Sequence, residues 1–219
     1  EFTRQDVLSR YDVDPRKVKV IHHGTPRLGD RLTPVVGVKN FWMAFGHQKH
    51  KNVEVCLRAL TRRPYCEQLV VIGVGHYVDN VLKPAAKQLG VLDRVMFLGR
   101  IRADELCWLY RNANGLLFTS KFEGFGLPVL EAMGMGCPVI CSNAASLPEV
   151  AGDAAILVEA DDAEATFVAM NKLVGDSDYR ERLAASGLAR AASFSWDEAS
   201  RKTVRLYMSL LANFSHKAQ

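Results

Sequence analysis

Two carboxylates stand out in the segment KFEGFGLPVLEAMGMG, residues 121–136. Glu123 precedes a Gly-Phe-Gly sequence, and Glu131 follows eight positions later. A carboxylate accepts two hydrogen bonds side by side, which suits the vicinal hydroxyls of a ribose or another sugar. The alternative interpretation is that Glu131 is an ordinary solvated helix residue and Glu123 a loop charge, because short motifs recur by chance.

The residues between the two glutamates predict a turn that leads into a helix. Gly124 and Gly126 allow the backbone to turn tightly and a ligand to approach the main chain closely. Pro128 suits the first turn of a helix that we expect to begin near Leu127. The free N–H groups of that turn, together with the helix dipole, favour an anion such as a phosphate. Amides for a phosphate and carboxylates for diols outline a nucleotide-sugar site.

Apolar strand-like runs alternate with amphipathic helical stretches over most of the chain. The predicted strands are 18–21, 41–45, 69–72, 95–98, 115–118, 138–141 and 155–158. The predicted helices are 52–62, 84–89, 103–112, 127–135, 163–173, 179–191 and 197–211. Short, almost continuously apolar strands separated by helices are typical of a parallel sheet covered on both faces. The predicted fold class is therefore α/β, a doubly wound Rossmann-like parallel sheet, with ligands expected beyond the C-terminal ends of its strands.

The first 40 residues do not follow that alternation. Residues 1–23 predict a helix, a turn at Asp14-Pro15 and a strand that ends in His22-His23, a pair that we interpret as structural. The segment that follows is rich in glycine, proline and charge, which is typical of a linker. The expected organisation is the tail of a missing N-terminal domain at 1–25, a linker at 26–40, a nucleotide-sugar-binding domain at 41–195 and a C-terminal helix at 196–219.

The composition is that of an ordinary soluble globular protein. The 219 residues are 48% hydrophobic and 24% charged, with a net charge of +4. That charge suits an anionic small molecule or a contact with anionic lipid better than a nucleic-acid surface. No apolar run approaches the roughly 20 residues that cross a bilayer. Five cysteines without metal-ligand spacing favour reduced thiols in a cytoplasmic protein; they are Cys56, Cys66, Cys107, Cys137 and Cys141.

The segments around the two glutamates resemble the donor-binding, C-terminal domain of the retaining GT-B glycosyltransferases of family 4, also called glycosyl transferases group 1. The matching residues lie at 123–128, 131–132, 136–140, 146–150 and 152–155. VMFLGRI at 95–101 and ELCWLYRNA at 105–113 match upstream, and FSWDEASRKTVRLY at 194–207 matches downstream. The resemblance runs from about residue 41 to residue 207 and implies the C-terminal half of a GT-B fold.

The resemblance also implies a role for each part of this segment. Glu123 would contact hydroxyls of the donor sugar, and Glu131 would hold the ribose of the nucleotide. Two sets of residues are implied to act mostly through main-chain groups: Gly124, Phe125, Gly126 and Leu127 beside the sugar and diphosphate, and Gly99, Arg100 and Ile101 beside the base.

A cation for the diphosphate is expected after the first strand of the sheet. FWMAFG ends at Gly46 and is followed by HQKHKN. Relatives often carry an arginine directly after this glycine and a lysine just before the next helix. Lys51 matches that lysine, whereas His47 stands in place of the arginine and Lys49 is the alternative cation. Lys51 and Glu123 are the predicted catalytic residues; the other interpretation is that Lys-His-Lys forms a solvated basic loop.

The implied activity is transfer of a sugar from a nucleoside-diphosphate donor to an acceptor hydroxyl with retention at the anomeric carbon, without a metal or another cofactor. GDP-mannose is favoured as the donor. The acceptor, a glycan or lipid-linked sugar in polysaccharide or glycolipid synthesis, would bind the missing N-terminal domain, so the isolated chain is expected to be inactive.

We expect a cytoplasmic location, with peripheral contact at the inner face of the membrane as an option, and no nucleic-acid partner. The rival hypothesis is a stand-alone nucleotide-sugar-binding module, or a subunit without catalysis of its own. An epimerase or a phosphorylase of the same fold fits the two-glutamate segment less well.

Overall fold

A parallel β-sheet forms the centre of the molecule. The computed structural model describes residues 1–63 and 67–217, with side chains as far as residue 212, so Cys66 lies outside the described residues. The strands are β1 (Phe41–Phe45), β2 (Gln68–Ile72), β3 (Val95–Leu98), β4 (Gly115–Phe118), β5 (Val139–Ser142) and β6 (Ile156–Val158). Within the described residues they form one six-stranded sheet in the order β3-β2-β1-β4-β5-β6, and each neighbouring pair is parallel.

Helices connect the strands and continue beyond the sheet. They are α1 (Phe2–Arg10), α2 (Val53–Leu60), α3 (Lys83–Gln88), α4 (Ala103–Asn112), α5 (Leu127–Gly134), α6 (Leu147–Ala151), α7 (Ala163–Gly175), α8 (Ser177–Ala192) and α9 (Trp196–Lys217). Short 3-10 turns lie at Pro15–Lys17, Lys49–Lys51, Leu92–Arg94 and Gly152–Ala154, and a π-helical turn at Val78–Leu82 precedes α3. The predicted helix at 127–135 therefore corresponds to α5, which begins at Leu127 as expected.

Both faces of the sheet are buried. Along β1, Phe41 and Met43 belong to one apolar cluster, whereas Trp42 and Ala44 belong to the cluster on the opposite face. Successive side chains of a strand point to opposite faces, so a strand that is covered on both sides is apolar at every position. This double burial explains why the strands read as continuous apolar runs in the sequence.

The predicted strand at 18–21 does not form. In the structure these residues are extended, but none of the described strands pairs with them. A single strand leaves its own N–H and C=O groups without partners, so apolar alternation alone does not produce a sheet. The guanidinium of Arg4 replaces a strand partner in part, because it donates to the carbonyl oxygens of Val18 at 3.1 Å and Pro15 at 3.3 Å.

The segment 26–40 packs on the domain that follows it. Thr33 Oγ1 donates to Asp104 Oδ2 at 2.6 Å, and the backbone N–H of Thr33 donates to the Asp104 carbonyl at 3.1 Å. Val38 is buried in the core beside β1. The segment thus has little regular secondary structure but is bound to the domain by these contacts. The domain boundaries given above stay a prediction.

The last helix carries an exposed apolar stripe. Val204, Tyr207, Met208 and Leu211 follow the spacing of one helix face, and each is more than half exposed. In the part of the chain that the structure describes, no helix combines the length and the apolar character needed to cross a membrane.

Gly126 fixes the point at which α5 begins. Its φ of +105° lies in the left-handed region, and a Cβ at this position would be 2.7 Å from Leu147 Cδ2. A side chain would therefore meet both backbone strain and a steric clash. Gly124 differs, because its φ is not positive and nothing lies within 4 Å of an added Cβ.

Replacing these two glycines should have different effects on stability. We expect Gly126→Ala to lower the free energy of unfolding by about 1–3 kcal/mol, the cost of a strained backbone position. The matched control Gly124→Ala should change it by less than about 0.5 kcal/mol. Urea denaturation followed by circular dichroism measures both variants, and equal losses would contradict this account of the turn.

Candidate functional site

The candidate site lies where the order of the strands reverses. β1 and β4 are neighbours in the sheet, but the chain leaves β1 toward β2 and leaves β4 toward β5. Loops that leave two such strands diverge and open a crevice at the carboxyl edge of the sheet. Residues 46–52 follow β1 and residues 119–126 follow β4, so the predicted site residues of both segments border this crevice.

An ion pair joins the two loops. Lys51 Nζ lies 2.6 Å from Glu123 Oε1, and the two side chains are only 9% and 12% exposed. The same ammonium lies 5.0 Å from the centroid of the Phe118 ring, which is close enough for a cation–π contact. The structure thus brings together the two residues predicted to be catalytic, although 72 positions separate them in the chain.

Hydrogen bonds hold the two loops against each other. The carbonyl oxygen of His50 accepts from the backbone N–H of Lys121 at 2.8 Å and from Ser120 Oγ at 3.0 Å. Thr119 Oγ1 donates to the carbonyl of Asn52 at 3.1 Å, and Asn52 Nδ2 donates to the carbonyl of Thr119 at 3.2 Å. Because these groups are buried or nearly so, the Lys51–Glu123 pair sits on a fixed frame rather than on free loops.

The serine at the N-cap position of α6 supports the glycine turn. Ser146 Oγ lies 2.9 Å from the Glu123 carbonyl and 2.8 Å from the Phe125 carbonyl. The first hydrogen bond inside α5 runs from the Val129 N–H to the Gly126 carbonyl at 3.0 Å. Pro128 has no N–H, so the amides left for an anion at the start of α5 are those of Leu127 and of the turn residues before it.

Glu131 lies on α5 and has one hydrogen-bond partner among the residues that the structure describes. Tyr110 on α4 donates its hydroxyl to Glu131 Oε2 at 3.0 Å. Burial raises the pKa of the Glu131 carboxyl, and the hydrogen bond from Tyr110 lowers it in part. Glu131 is therefore not an ordinary solvated helix residue.

His47 lies at the end of β1 close to the turn after β2. A Cβ on Gly73 would be 2.8 Å from the His47 backbone nitrogen, so only glycine allows this approach. Partial burial lowers the pKa of the His47 imidazole, and the neighbouring charges of Lys51 and His50 lower it further. At neutral pH the residue that replaces the arginine of relatives is therefore uncharged.

Lys49 does not join the Lys51–Glu123 pair. It is exposed and lines a cavity of about 720 Å³ together with residues of both loops, among them His50, Asn52 and Lys121. His50 is closer to the pair, since its Nε2 lies 4.0 Å from Glu123 Oε1.

The segment predicted to lie beside a base is at the same edge of the sheet. Gly99, Arg100 and Ile101 follow β3, which lies two strands from β1. The carbonyl of Leu98 accepts from the Gly73 N–H at 2.9 Å, and a Cβ on Gly99 would be 3.5 Å from Val74 Cγ1. The crevice therefore extends from the glycine turn along the ends of β1 and β2 toward β3.

The N-terminal segment closes the other side of the glycine turn. Thr3 Oγ1 donates to the Gly124 carbonyl at 3.0 Å, and the His23 ring lies 5.1 Å from the Phe125 ring. His22 Nε2 donates to Glu149 Oε1 at 2.7 Å. A cavity of about 270 Å³ lies between this segment and the turn. The histidine pair, interpreted from the sequence as structural, thus also borders the site.

Analysis of the sequence missed several supporting residues: Tyr110, Ser146, His50 and Thr119. The bonds that join them to Glu131, Glu123, Ser120 and Asn52 span 21 to 70 positions of the chain. Tyr110 and Ser146 left a signal, because Tyr110 falls within ELCWLYRNA and Ser146 begins the matching segment 146–150 of the resemblance.

Comparison with known proteins identifies the family. Residues 39–190, more than two thirds of the chain, match the family described as glycosyl transferases group 1. The chain belongs to this family. It is 35% identical over 166 residues to O-antigen chain mannosyltransferase B of Escherichia coli, which covers 73% of this chain and 43% of the relative. The chain spans about half the length of the curated relatives it matches.

Solved structures confirm the fold of this group 1 glycosyltransferase domain. Sucrose-phosphate synthase of Thermosynechococcus elongatus superposes with a TM-score of 0.81 at 24% identity, over 96% of this chain and 57% of that one. HepE of Anabaena, solved in complex with UDP and glucose, superposes with a TM-score of 0.72 at 21% identity, over 78% of this chain and 48% of that one. The predicted fold, the Rossmann-like C-terminal half of a GT-B glycosyltransferase, is confirmed.

Removal of Lys51 should destabilise the glycosyltransferase domain. Lys51→Ala leaves the almost buried Glu123 carboxylate without its cation, and we expect a loss of about 3 kcal/mol in the free energy of unfolding. The control Lys49→Ala, at an exposed lysine of the same turn, should cost less than about 0.5 kcal/mol.

A double-mutant cycle with Glu123→Ala tests the pairing itself. Lys51→Ala should cost much less in the Glu123→Ala background than in the wild type, because no buried carboxylate is then left unpaired. Additive losses in urea denaturation would show that the ion pair contributes nothing.

Proposed function

We propose that the crevice between β1 and β4 binds a nucleoside-diphosphate sugar, and that the whole protein transfers the sugar to an acceptor hydroxyl with retention at the anomeric carbon, as in the family 4 enzymes. The observation that carries this proposal is the Lys51–Glu123 pair at 2.6 Å beside the start of α5. One cation, free helix amides and a carboxylate meet there, and a sugar diphosphate needs all three.

Each group has a role in the proposed complex. The diphosphate lies against the N–H groups at the start of α5 and the Lys51 ammonium, which is within reach because Glu123 holds it at the crevice. Glu123 accepts hydrogen bonds from sugar hydroxyls, and Glu131 accepts them from the ribose. Gly99 to Ile101 border the base at the far end of the crevice.

The proposed reaction takes place on one face of the sugar. The bond between the anomeric carbon and the phosphate oxygen breaks, and the acceptor oxygen forms its bond on the same face. The acceptor proton passes to the leaving phosphate oxygen, so the diphosphate serves as the base. Lys51 and the helix amides stabilise the negative charge that develops on the diphosphate. Because these groups supply positive charge, we propose that transfer needs neither a metal nor another cofactor.

GDP-mannose is the proposed donor, and the relative named as an O-antigen chain mannosyltransferase supports it. A UDP sugar is the alternative, supported by the UDP and glucose in the HepE complex. We propose a glycan or lipid-linked acceptor, used in polysaccharide or glycolipid synthesis at the cytoplasmic face of the membrane. The acceptor would bind a part of the protein outside this chain, so the 219 residues alone should bind donor without transferring it.

Calorimetric titration with GDP-mannose, UDP-glucose, GDP and UDP tests the proposal. We expect saturable binding, tighter for GDP than for UDP. Glu131→Ala should weaken it by about 10- to 100-fold, because the ribose loses hydrogen bonds to a charged acceptor. The control Lys49→Ala should leave the affinity within about twofold, since Lys49 is exposed and has no role in the proposed complex.

The outcomes separate the parts of the proposal. Absence of binding by all four compounds would contradict a donor site in this chain. Preference for UDP would replace the donor and keep the site. Transfer by the 219 residues alone would contradict the need for a further domain, whereas binding without transfer by the whole protein would favour the binding module.

An arginine at position 47 should strengthen diphosphate binding. The lowered pKa of His47 means that its imidazole becomes cationic only as the pH falls below its ordinary value of 6.5. His47→Arg places a permanent charge there, and we expect about fivefold tighter binding of GDP at pH 7.5. His47→Gln should bind like the wild type at that pH, and an equal affinity in all three would place residue 47 away from the diphosphate.

A further inference from the structure

Tyr110 is a fully buried polar side chain that touches the candidate site. Its exposed fraction is 0%, and its ring packs in the apolar cluster with Leu130 and Met133 of α5. Its hydroxyl lies 3.0 Å from Glu131 Oε2 and 3.4 Å from the Pro128 carbonyl. A phenol has one hydrogen to donate, and the nearer, charged oxygen is the better acceptor, so the hydrogen goes to Glu131.

The packing of Tyr110 limits the positions that Glu131 can take. A buried tyrosine hydroxyl needs a partner, and its ring cannot turn away inside a close-packed core. The bond therefore fixes Oε2 on the side of α4. It leaves Oε1, which has no hydrogen-bond partner among the described residues, free for a ligand.

Tyr110 also helps to keep Glu131 ionised. Burial raises the pKa of the Glu131 carboxyl, and the bond from Tyr110 is the contribution that lowers it. Burial, together with the charge of Glu131, raises the pKa of Tyr110 itself well above 10, so the hydroxyl stays protonated and remains a donor. Only the ionised carboxylate is purely an acceptor of hydrogen bonds.

The other ionisable groups around this pair are neutral or held elsewhere. Burial raises the pKa of the Cys137 thiol to about 12, and it also raises the pKa of Cys107. Arg190, on the helix α8 that packs against α5, donates to the carbonyls of Glu149 and Val150. Burial is the larger influence on the pKa of Glu131, and the hydrogen bond from Tyr110 opposes it.

We propose that Tyr110 is a positioning residue of the donor site, which holds the Glu131 carboxylate ionised and aimed at the ribose hydroxyls of a nucleoside diphosphate. This inference rests on the function proposed above. Tyr110 would not touch the nucleotide, and its effect on binding would pass entirely through Glu131.

Tyr110→Phe tests this role, because it removes one oxygen and keeps the ring. We expect GDP binding to weaken by about tenfold at pH 7.5, the effect of losing one hydrogen bond to a charged group. The loss of affinity at acidic pH should begin at a higher pH than in the wild type, since the Glu131 pKa rises without the donor.

A double-mutant cycle separates positioning from mere packing. In the Glu131→Gln background, Tyr110→Phe should leave GDP affinity unchanged, because no carboxylate remains to be oriented or ionised. A structural role alone would lower the melting temperature and weaken GDP binding by the same factor in both backgrounds, without moving the pH profile. That result would overturn the inference.

The pKa of Glu131, measured by carboxyl ¹³C NMR without ligand, should rise in Tyr110→Phe. An unchanged pKa would also overturn the inference about Tyr110. If the wild type binds no nucleotide at any pH, the donor site itself is contradicted. If it binds GDP and Tyr110→Phe binds equally well with the same pH profile, only the role of Tyr110 is contradicted.

Discussion

The reversal of strand order between β1 and β4 determines where ligand chemistry can take place in this fold. On one side the chain passes to β2 and β3, and on the other side to β5 and β6. Because the chain leaves these two strands in opposite directions, a crevice is expected above the reversal. Lys51 arrives from the first half of the sheet and Glu123 from the second, and their ion pair spans the gap.

The ion pair means that the site is assembled before any ligand arrives. Lys51 and Glu123 are already shielded from bulk water in the folded chain. The free-energy cost of their desolvation is therefore part of folding and not of ligand binding. The hydroxyls of Thr119, Ser120 and Ser146 fix the surrounding backbone in the same way. Groups held in place at the start need little rearrangement when charge develops beside them.

The sequence predicted the sheet well because burial on both faces leaves a strong local pattern; β1, β3 and β4 have the predicted limits. The prediction of a strand at 18–21 was wrong because a strand needs a neighbouring strand to pair with. A local alternation of apolar and polar residues does not specify that neighbour. The same limit applies to the site. Glu123 and Glu131 stand out by type and spacing, whereas Tyr110 and Ser146 matter through contacts that only the folded chain creates. The exposure of Lys49, two positions from the buried Lys51, likewise depends on the path of a short turn.

The pairing of β1 with β4 also affects how the chain folds. Trp42 pairs with Gly115, and these residues are 73 positions apart. Partners in the other neighbouring strands are separated by fewer than about 30 positions. The entropy cost of closing a loop grows with its length, and pairings distant in sequence slow folding. The two halves of the sheet can each assemble from nearby segments, and their union is the long-range step. The crevice forms only after the two halves of the sheet have joined. A ligand bound in the crevice therefore shows that the sheet is complete.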